Sequence, residues 1–169
     1  VAPTIASNSE KLRLRIELYN DYGDIVDVGT TYLEYSGDEG LTWDSITTYA
    51  GEKAFVLAGS SSYVTDGQPT TKHLNGVAGY TFQAGSFNVS SDYLPSKLIN
   101  IKNSTEYELV IKPTAKIKTN TTYLFDVFGQ TYSAIDIPSL KTASTLPILL
   151  VNFTIQQNLN KVKLQWTTS

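Results

Sequence analysis

Apolar residues recur at every second position over several short stretches of this chain. Across residues 11–19, Leu12, Leu14, Ile16 and Leu18 alternate with Arg13, Arg15 and Glu17, so an extended backbone would bury one face and wet the other. Asn20-Asp21-Tyr22-Gly23-Asp24 is turn chemistry, and the period of two resumes over 30–36 before Gly37-Asp38-Glu39-Gly40 breaks it. Residues 43–49 then predict a returning partner strand. The pattern recurs at 54–57, more weakly over 77–89, and strongly over 107–111 and 121–128. No window of a dozen residues holds a helical period. Short strands punctuated by Gly, Pro, Asn and Asp predict an all-β chain, an antiparallel β-sandwich. Residues 59–75, rich in Ser, Thr, Gly and Gln, predict a surface loop or irregular edge, the kind of segment on which binding is placed.

After Ala143-Ser144-Thr145 comes the most apolar run, Leu146-Pro147-Ile148-Leu149-Leu150-Val151-Asn152-Phe153-Thr154-Ile155. A turn at Asn158-Leu159-Asn160 and a second alternating run, 161–166, follow. The chain therefore divides into a sandwich over 1–143 and a hairpin extension over 144–169. A lone two-stranded hairpin is marginal in water, and burying one apolar face does not offset the entropy of ordering its backbone. The extension must find ladder hydrogen bonds on the body, on a neighbouring chain or on following sequence. Leu146, Ile148, Leu149, Leu150, Val151, Phe153 and Ile155 are its candidate self-association residues.

Composition narrows the function classes. With 169 residues, 41% of them hydrophobic and only 17% charged, the chain can fill the core of one sandwich-sized domain. It has no Cys and no Met, which removes disulfide, thiolate and thioether chemistry. A formal net charge of -3 argues against a nucleic-acid backbone as partner. No apolar run of about 18 residues is present to insert in a membrane. A start at Val1 rather than Met predicts processing upstream.

Four segments together carry a family resemblance: Leu12-Arg13-Leu14-Arg15-Ile16, Thr105-Glu106-Tyr107-Glu108-Leu109-Val110-Ile111, Asn120-Thr121-Thr122-Tyr123-Leu124-Phe125-Asp126-Val127 and Leu146-Pro147-Ile148-Leu149-Leu150. They resemble immunoglobulin-like or fibronectin-type-III-like modules in large secreted surface proteins of Bacteroidetes. The Leu164-Gln165-Trp166-Thr167-Thr168 segment is similar to the opening of a following module in such proteins, close to the region used for type IX secretion. The resemblance implies an immunoglobulin-like sandwich of about seven to nine strands with a C-terminal hairpin, secreted or displayed on the cell surface.

Several motifs carry candidate chemistry. Ser36-Gly37-Asp38-Glu39-Gly40-Leu41-Thr42-Trp43 matches the Asp-box of sialidases and other propellers, but it occurs once, where a propeller repeats it; alone it reads as a hairpin with its Asp capping the turn and its Trp anchoring it. Asp21, Asp24, Asp27, Asp38 and Glu39 offer calcium-type oxygen ligands without EF-hand spacing, and solvated turns account for the same residues. His73 is the only histidine and no Gly-x-Ser-x-Gly elbow accompanies it, so a loop role outweighs a triad. The acids fall at turns and on the polar faces of strands rather than as an evident catalytic pair.

Tyr19, Tyr22, Tyr32, Tyr35, Tyr49, Tyr63, Tyr80, Tyr93 and Trp43 could build a sugar-stacking platform, with Tyr63, His73 and Tyr80 as candidate ligand-binding residues. Asp44-Ser45-Ile46 resembles the bacterial O-glycosylation site of the same group, with Ser45 as acceptor. These readings lead to a non-catalytic structural or adhesive module without cofactor. Its expected partners are further copies or adjacent modules, joined by strand addition into a fibre or array, with glycan binding as the alternative.

Overall fold

The computed structural model describes residues 4–5, 10–29, 31–76, 78–128, 137–143, 150–158 and 161–168, with side chains described between residues 10 and 143. The chain is all-β, and among the described residues there is no helix. In chain order the strands are β1 (Thr4–Ile5), β2 (Leu12–Tyr19), β3 (Val26–Asp27), β4 (Tyr32–Ser36), β5 (Asp44–Ser45), β6 (Phe55–Leu57) and β7 (Thr81–Asn88). They continue as β8 (Leu98–Ile99), β9 (Asn103–Pro113), β10 (Thr122–Phe128), β11 (Ser139–Thr142), β12 (Leu150–Asn158) and β13 (Lys161–Thr168).

One sheet has the order β1-β11-β10-β4-β5. In the other, β9 is central: β2 runs along one edge, and β7 and then β6 follow one another along the opposite edge. The inward residues of both sheets share one core, in which Ile16, Tyr107, Leu109, Ile111, Phe55 and Leu57 meet Leu33, Tyr35, Tyr123, Phe125, Val127 and Leu140. Phe55 sits between Tyr123, Phe125 and Tyr35 at centroid distances of 5.0, 5.2 and 5.3 Å, each in an edge-on arrangement. Tyr35 and Tyr107 are among the tyrosines that reach backbone from inside this core. The Tyr35 hydroxyl accepts the Ala54 amide at 2.7 Å, and that of Tyr107 donates to the Pro95 carbonyl at 2.9 Å. Burial, before any other influence, pushes both phenols up to about 12.

Most pairings are antiparallel, but β7 runs parallel to β9 and β1 parallel to β11. A parallel neighbour needs a crossover, and the segment between β7 and β9 supplies it, carrying β8 across to pair with β3. The weak alternation over 77–89 has a structural origin: the β7–β9 register shifts between Ala84 and Phe87, a bulge that interrupts the period of two. The returning strand expected over 43–49 is regular only at β5, after which the Ile46 amide still reaches the Leu33 carbonyl at 2.8 Å and the Thr47 carbonyl accepts the Leu57 amide of β6 at 3.0 Å. Strands β1, β3, β8 and β11, each of two to four residues, are too short for alternation to announce them.

The extension contains β12 and β13, an antiparallel two-stranded ribbon in register from Asn152 against Thr167 to Asn158 against Lys161. A register shift between Leu150 and Asn152 interrupts the alternation there. Among the described residues neither strand pairs with a strand of the sandwich.

Candidate functional site

Alternation on β2 and β9 turns Arg13, Arg15 and Glu17 to the outer face of their sheet, opposite Val110, Glu108 and Glu106. That polar face is covered except at Arg13, which stays exposed. Irregular residues between β6 and β7 lie over it as a strap, with Val64 packing on a small cluster of Ala58, Val89 and Val110. Glu106 is fully buried beneath the strap and accepts Arg15 Nη1 at 2.6 Å, the Leu74 amide at 2.8 Å and the His73 amide at 2.9 Å. Arg15 also donates from Nε to Glu108 Oε2 at 2.8 Å and from Nη1 to the Thr71 carbonyl at 2.6 Å, while Arg13 pairs with the other Glu108 oxygen. Burial alone would raise the Glu106 pKa, but Arg15 and the two amides outweigh it and hold the carboxyl below its ordinary value. Both Glu106 and Glu108 are thus clamped by arginine, whereas Glu17 Oε1 on the same face is buried without a hydrogen-bond partner. The expected surface loop over 59–75 is thus a cover that converts the polar side of β9 into interior.

Thr70 locks the strap to the bulge of β7. Its hydroxyl donates to the Glu106 carbonyl at 2.6 Å and accepts the Gly85 amide at 3.0 Å. Farther along, the Gly67 amide meets the Phe87 carbonyl at 2.8 Å and the Phe87 amide meets the Gln68 carbonyl at 2.9 Å, so the outer edge of β7 is hydrogen-bonded. The edge of β2 differs. Among the described residues no strand pairs with its outer side, and Leu12, Leu14 and Leu18 are only partly buried against the core.

The self-association residues divide between the two parts of the extension. Leu146, Ile148 and Leu149 lie outside the described residues, whereas Leu150, Val151, Phe153 and Ile155 lie on β12.

The three residues singled out for ligand binding join three different sets of contacts. Tyr63 is 83% exposed, with its amide held by Ser61 Oγ. His73 is exposed and anchors through its backbone to Glu106. Tyr80 packs edge-on to Tyr19 at 5.1 Å, donates to Asp21 Oδ1 at 2.8 Å and lies under the Lys102 ammonium.

A separate aromatic group stands on the outer face of the other sheet. Tyr32 and Phe128, directly opposite on β4 and β10, stack at 4.7 Å, and Tyr93 meets Tyr32 edge-on at 6.2 Å. The next pair on that face is Glu34 opposite Asp126. Burial and then the Asp126 charge raise the Glu34 pKa. The sequence reading included Tyr32 and Tyr93 but missed Phe128, Glu34 and Asp126, because only strand register brings them together.

Ser45, the candidate glycosylation residue, is half-buried on β5 and receives the Lys53 ammonium on its carbonyl at 2.6 Å and on its hydroxyl at 2.9 Å. The Asp-box is a closed hairpin turn. Asp38 accepts the Thr42 hydroxyl at 2.6 Å, the Thr42 amide at 2.9 Å and the Ser36 hydroxyl at 2.7 Å, and these bonds bring its pKa down to about 2. The Trp43 indole donates to the Gly40 carbonyl at 3.1 Å, while Glu39 and Gly40 take positive φ to close the loop. Three of the other acids considered for calcium are engaged locally: Asp21 by Lys102 and Tyr80, Asp24 by the Ile25 amide, and Asp27 by the Gly29 amide and Ser96. Among the described residues no three His, Cys, Asp or Glu side chains are grouped to hold a metal, and no helix is long and apolar enough to cross a membrane. No protein-family model, curated protein or solved structure matches this chain.

Proposed function

We propose that this chain is a non-catalytic structural or adhesive module of a secreted or cell-surface bacterial protein, joined to further copies or adjacent modules by strand addition through residues 146–155. The observation that carries the reading is the β12–β13 ribbon, whose two strands pair with each other and with no other described strand. Its outer edges hold backbone donors and acceptors in extended geometry, the chemistry by which one chain adds to the sheet of another. The saturated state of Glu106 and Glu108 favours a mechanical over a catalytic use of the acids. Deleting residues 146–169 and following assembly by light scattering tests the reading. Loss of association is expected, and association at the unaltered level overturns it.

A second reading, carbohydrate binding, is favoured by the Tyr32–Phe128 stack with Tyr93 beside it and two carboxylates in the next row. Aromatic carbon presents an apolar surface to sugar C–H groups, and carboxylates accept their hydroxyls. A glycan array probed with the native chain and with Phe128→Ala tests it. Binding that the substitution removes supports the reading, and no binding at millimolar sugar overturns it.

A further inference from the structure

We propose that the unpaired edge of β2 is the acceptor for β12 of a second copy of this chain; the inference rests on the strand-addition reading and names the surface it requires.

Each other edge of the sandwich is short or occupied. The strands β1 and β5, at the two ends of their sheet, are two residues long. The outer edge of β7 is taken by the strap through backbone bonds at Gly67, Gln68 and Thr70. The three-residue β6 is met from its far side by the Thr47 carbonyl, which accepts the Leu57 amide at 3.0 Å. Strands β3 and β8 are two residues each. The eight residues of β2 remain, with no described strand on their outer side.

This edge also lacks the usual devices that prevent pairing. It contains no Pro and no Gly, and its register with β9 runs unbroken from Leu12 opposite Ile111 to Tyr19 opposite Ser104, without a bulge. Of its three charged side chains, Arg13 and Arg15 are drawn onto Glu106 and Glu108 of their own sheet, and Glu17 lies on the same outer face. On the core side the edge leaves Leu12, Leu14 and Leu18 partly uncovered, an incomplete rim that one more strand would close.

Strand β12 fits this edge in length and in alternation. Beyond its register shift it runs without interruption from Asn152 to Asn158, seven residues against the eight of β2. Phe153 and Ile155 occupy alternate positions, and Asn152, Thr154 and Gln156 occupy the positions of the other parity. A strand laid beside β2 presents one alternating set to the leucine rim and the other to the Arg13, Arg15 and Glu17 face. Among the described residues β12 pairs only with β13 and no strand lies beside the outer edge of β2, so the occupant this proposal names is a ribbon from a second copy.

The chain has no cysteine, so engineered thiols report contacts unambiguously. Full-length Tyr19→Cys is mixed in turn with Asn152→Cys, Thr154→Cys and Gln156→Cys, oxidised and resolved by non-reducing electrophoresis. A heterodimer with at least one partner is expected. In parallel, Leu14→Lys places an ammonium at the leucine rim, with folding checked by circular dichroism, and should weaken association at least tenfold. If deleting 146–169 abolishes association while Leu14→Lys leaves it unchanged, or while no thiol pair crosslinks, the β2 assignment is overturned and strand addition at another edge stands. If the deletion leaves association unchanged, the strand-addition reading itself falls. Should Leu14→Lys fail to fold, the crosslinking result alone decides.

Discussion

Thr70 donates its side-chain hydroxyl to the main-chain carbonyl of Glu106 across 2.6 Å, filling the place in the ladder that the bulge of β7 leaves empty. The same oxygen accepts the Gly85 amide, so one hydroxyl satisfies two buried backbone groups on two strands. Replacing Thr70 with Val keeps the shape and removes both bonds, which should cost about 1–3 kcal/mol. Urea unfolding of Thr70→Val and Thr70→Ser separates the cause: the valine variant shifts to a lower midpoint, and the serine variant, which keeps the hydroxyl, stays near the native value.

Gly85 is required by proximity. A Cβ placed there would stand 2.1 Å from the Glu106 carbonyl oxygen and 2.8 Å from Thr105 Oγ1. The nearer obstacle is backbone in the central strand and cannot swing aside. Gly85→Ala should therefore cost about 3 kcal/mol or more, the upper end of ordinary overpacking, and exceed the loss at Thr70→Val. Thermal unfolding of the two variants side by side measures the order.

Glu106→Gln removes the charge that Arg15 faces beneath the strap, and breaking one half of a buried ion pair costs about 3–5 kcal/mol. The acid dependence follows from the direction of its pKa. The folded value lies below the ordinary 4.5, so the carboxylate's contribution is complete above that pH and is lost as pH falls through the lower folded value. Acid titration of stability should give a shallower decline for Glu106→Gln than for the native chain. Amide exchange at His73 and Leu74 should accelerate in the variant, because both amides lose a charged acceptor.

Asp38 supplies a second acid-side test, independent of the strap. Its folded pKa of about 2 lies below its ordinary 3.8, so its turn bonds persist above 3.8 and are lost as pH falls through about 2. Carboxyl titration by NMR should show that midpoint, with the Thr42 amide resonance moving in step. A midpoint near 4 would show that the Ser36 and Thr42 bonds do not hold in solution.

Local chemistry was readable in the letters and distant register was not. The Asp-box turn is legible because Ser36, Asp38, Gly40, Thr42 and Trp43 satisfy one another within eight residues. Alternation likewise marks Leu12, Leu14 and Ile16 on β2 and Tyr107, Leu109 and Ile111 on β9 as facing the core. The same period gives no sign that Glu106 and Glu108 are interior, since a polar face under water and one under a second layer of chain have the same spelling. The stack of Tyr32 on Phe128 was equally hidden, being fixed by which residue of β4 lies opposite which of β10. The bulge at Gly85 weakened the signal of β7 for a definite reason: an extra residue shifts the parity of everything after it.

The position of β9 in the chain also orders events during synthesis. Strands β2, β6 and β7 all take their hydrogen bonds from β9, although each precedes it in sequence. A chain emerging N-terminus first from a ribosome therefore carries three strands with no template until Pro113 has cleared the exit. That half of the sandwich therefore has no central strand to close on until β9 itself has emerged.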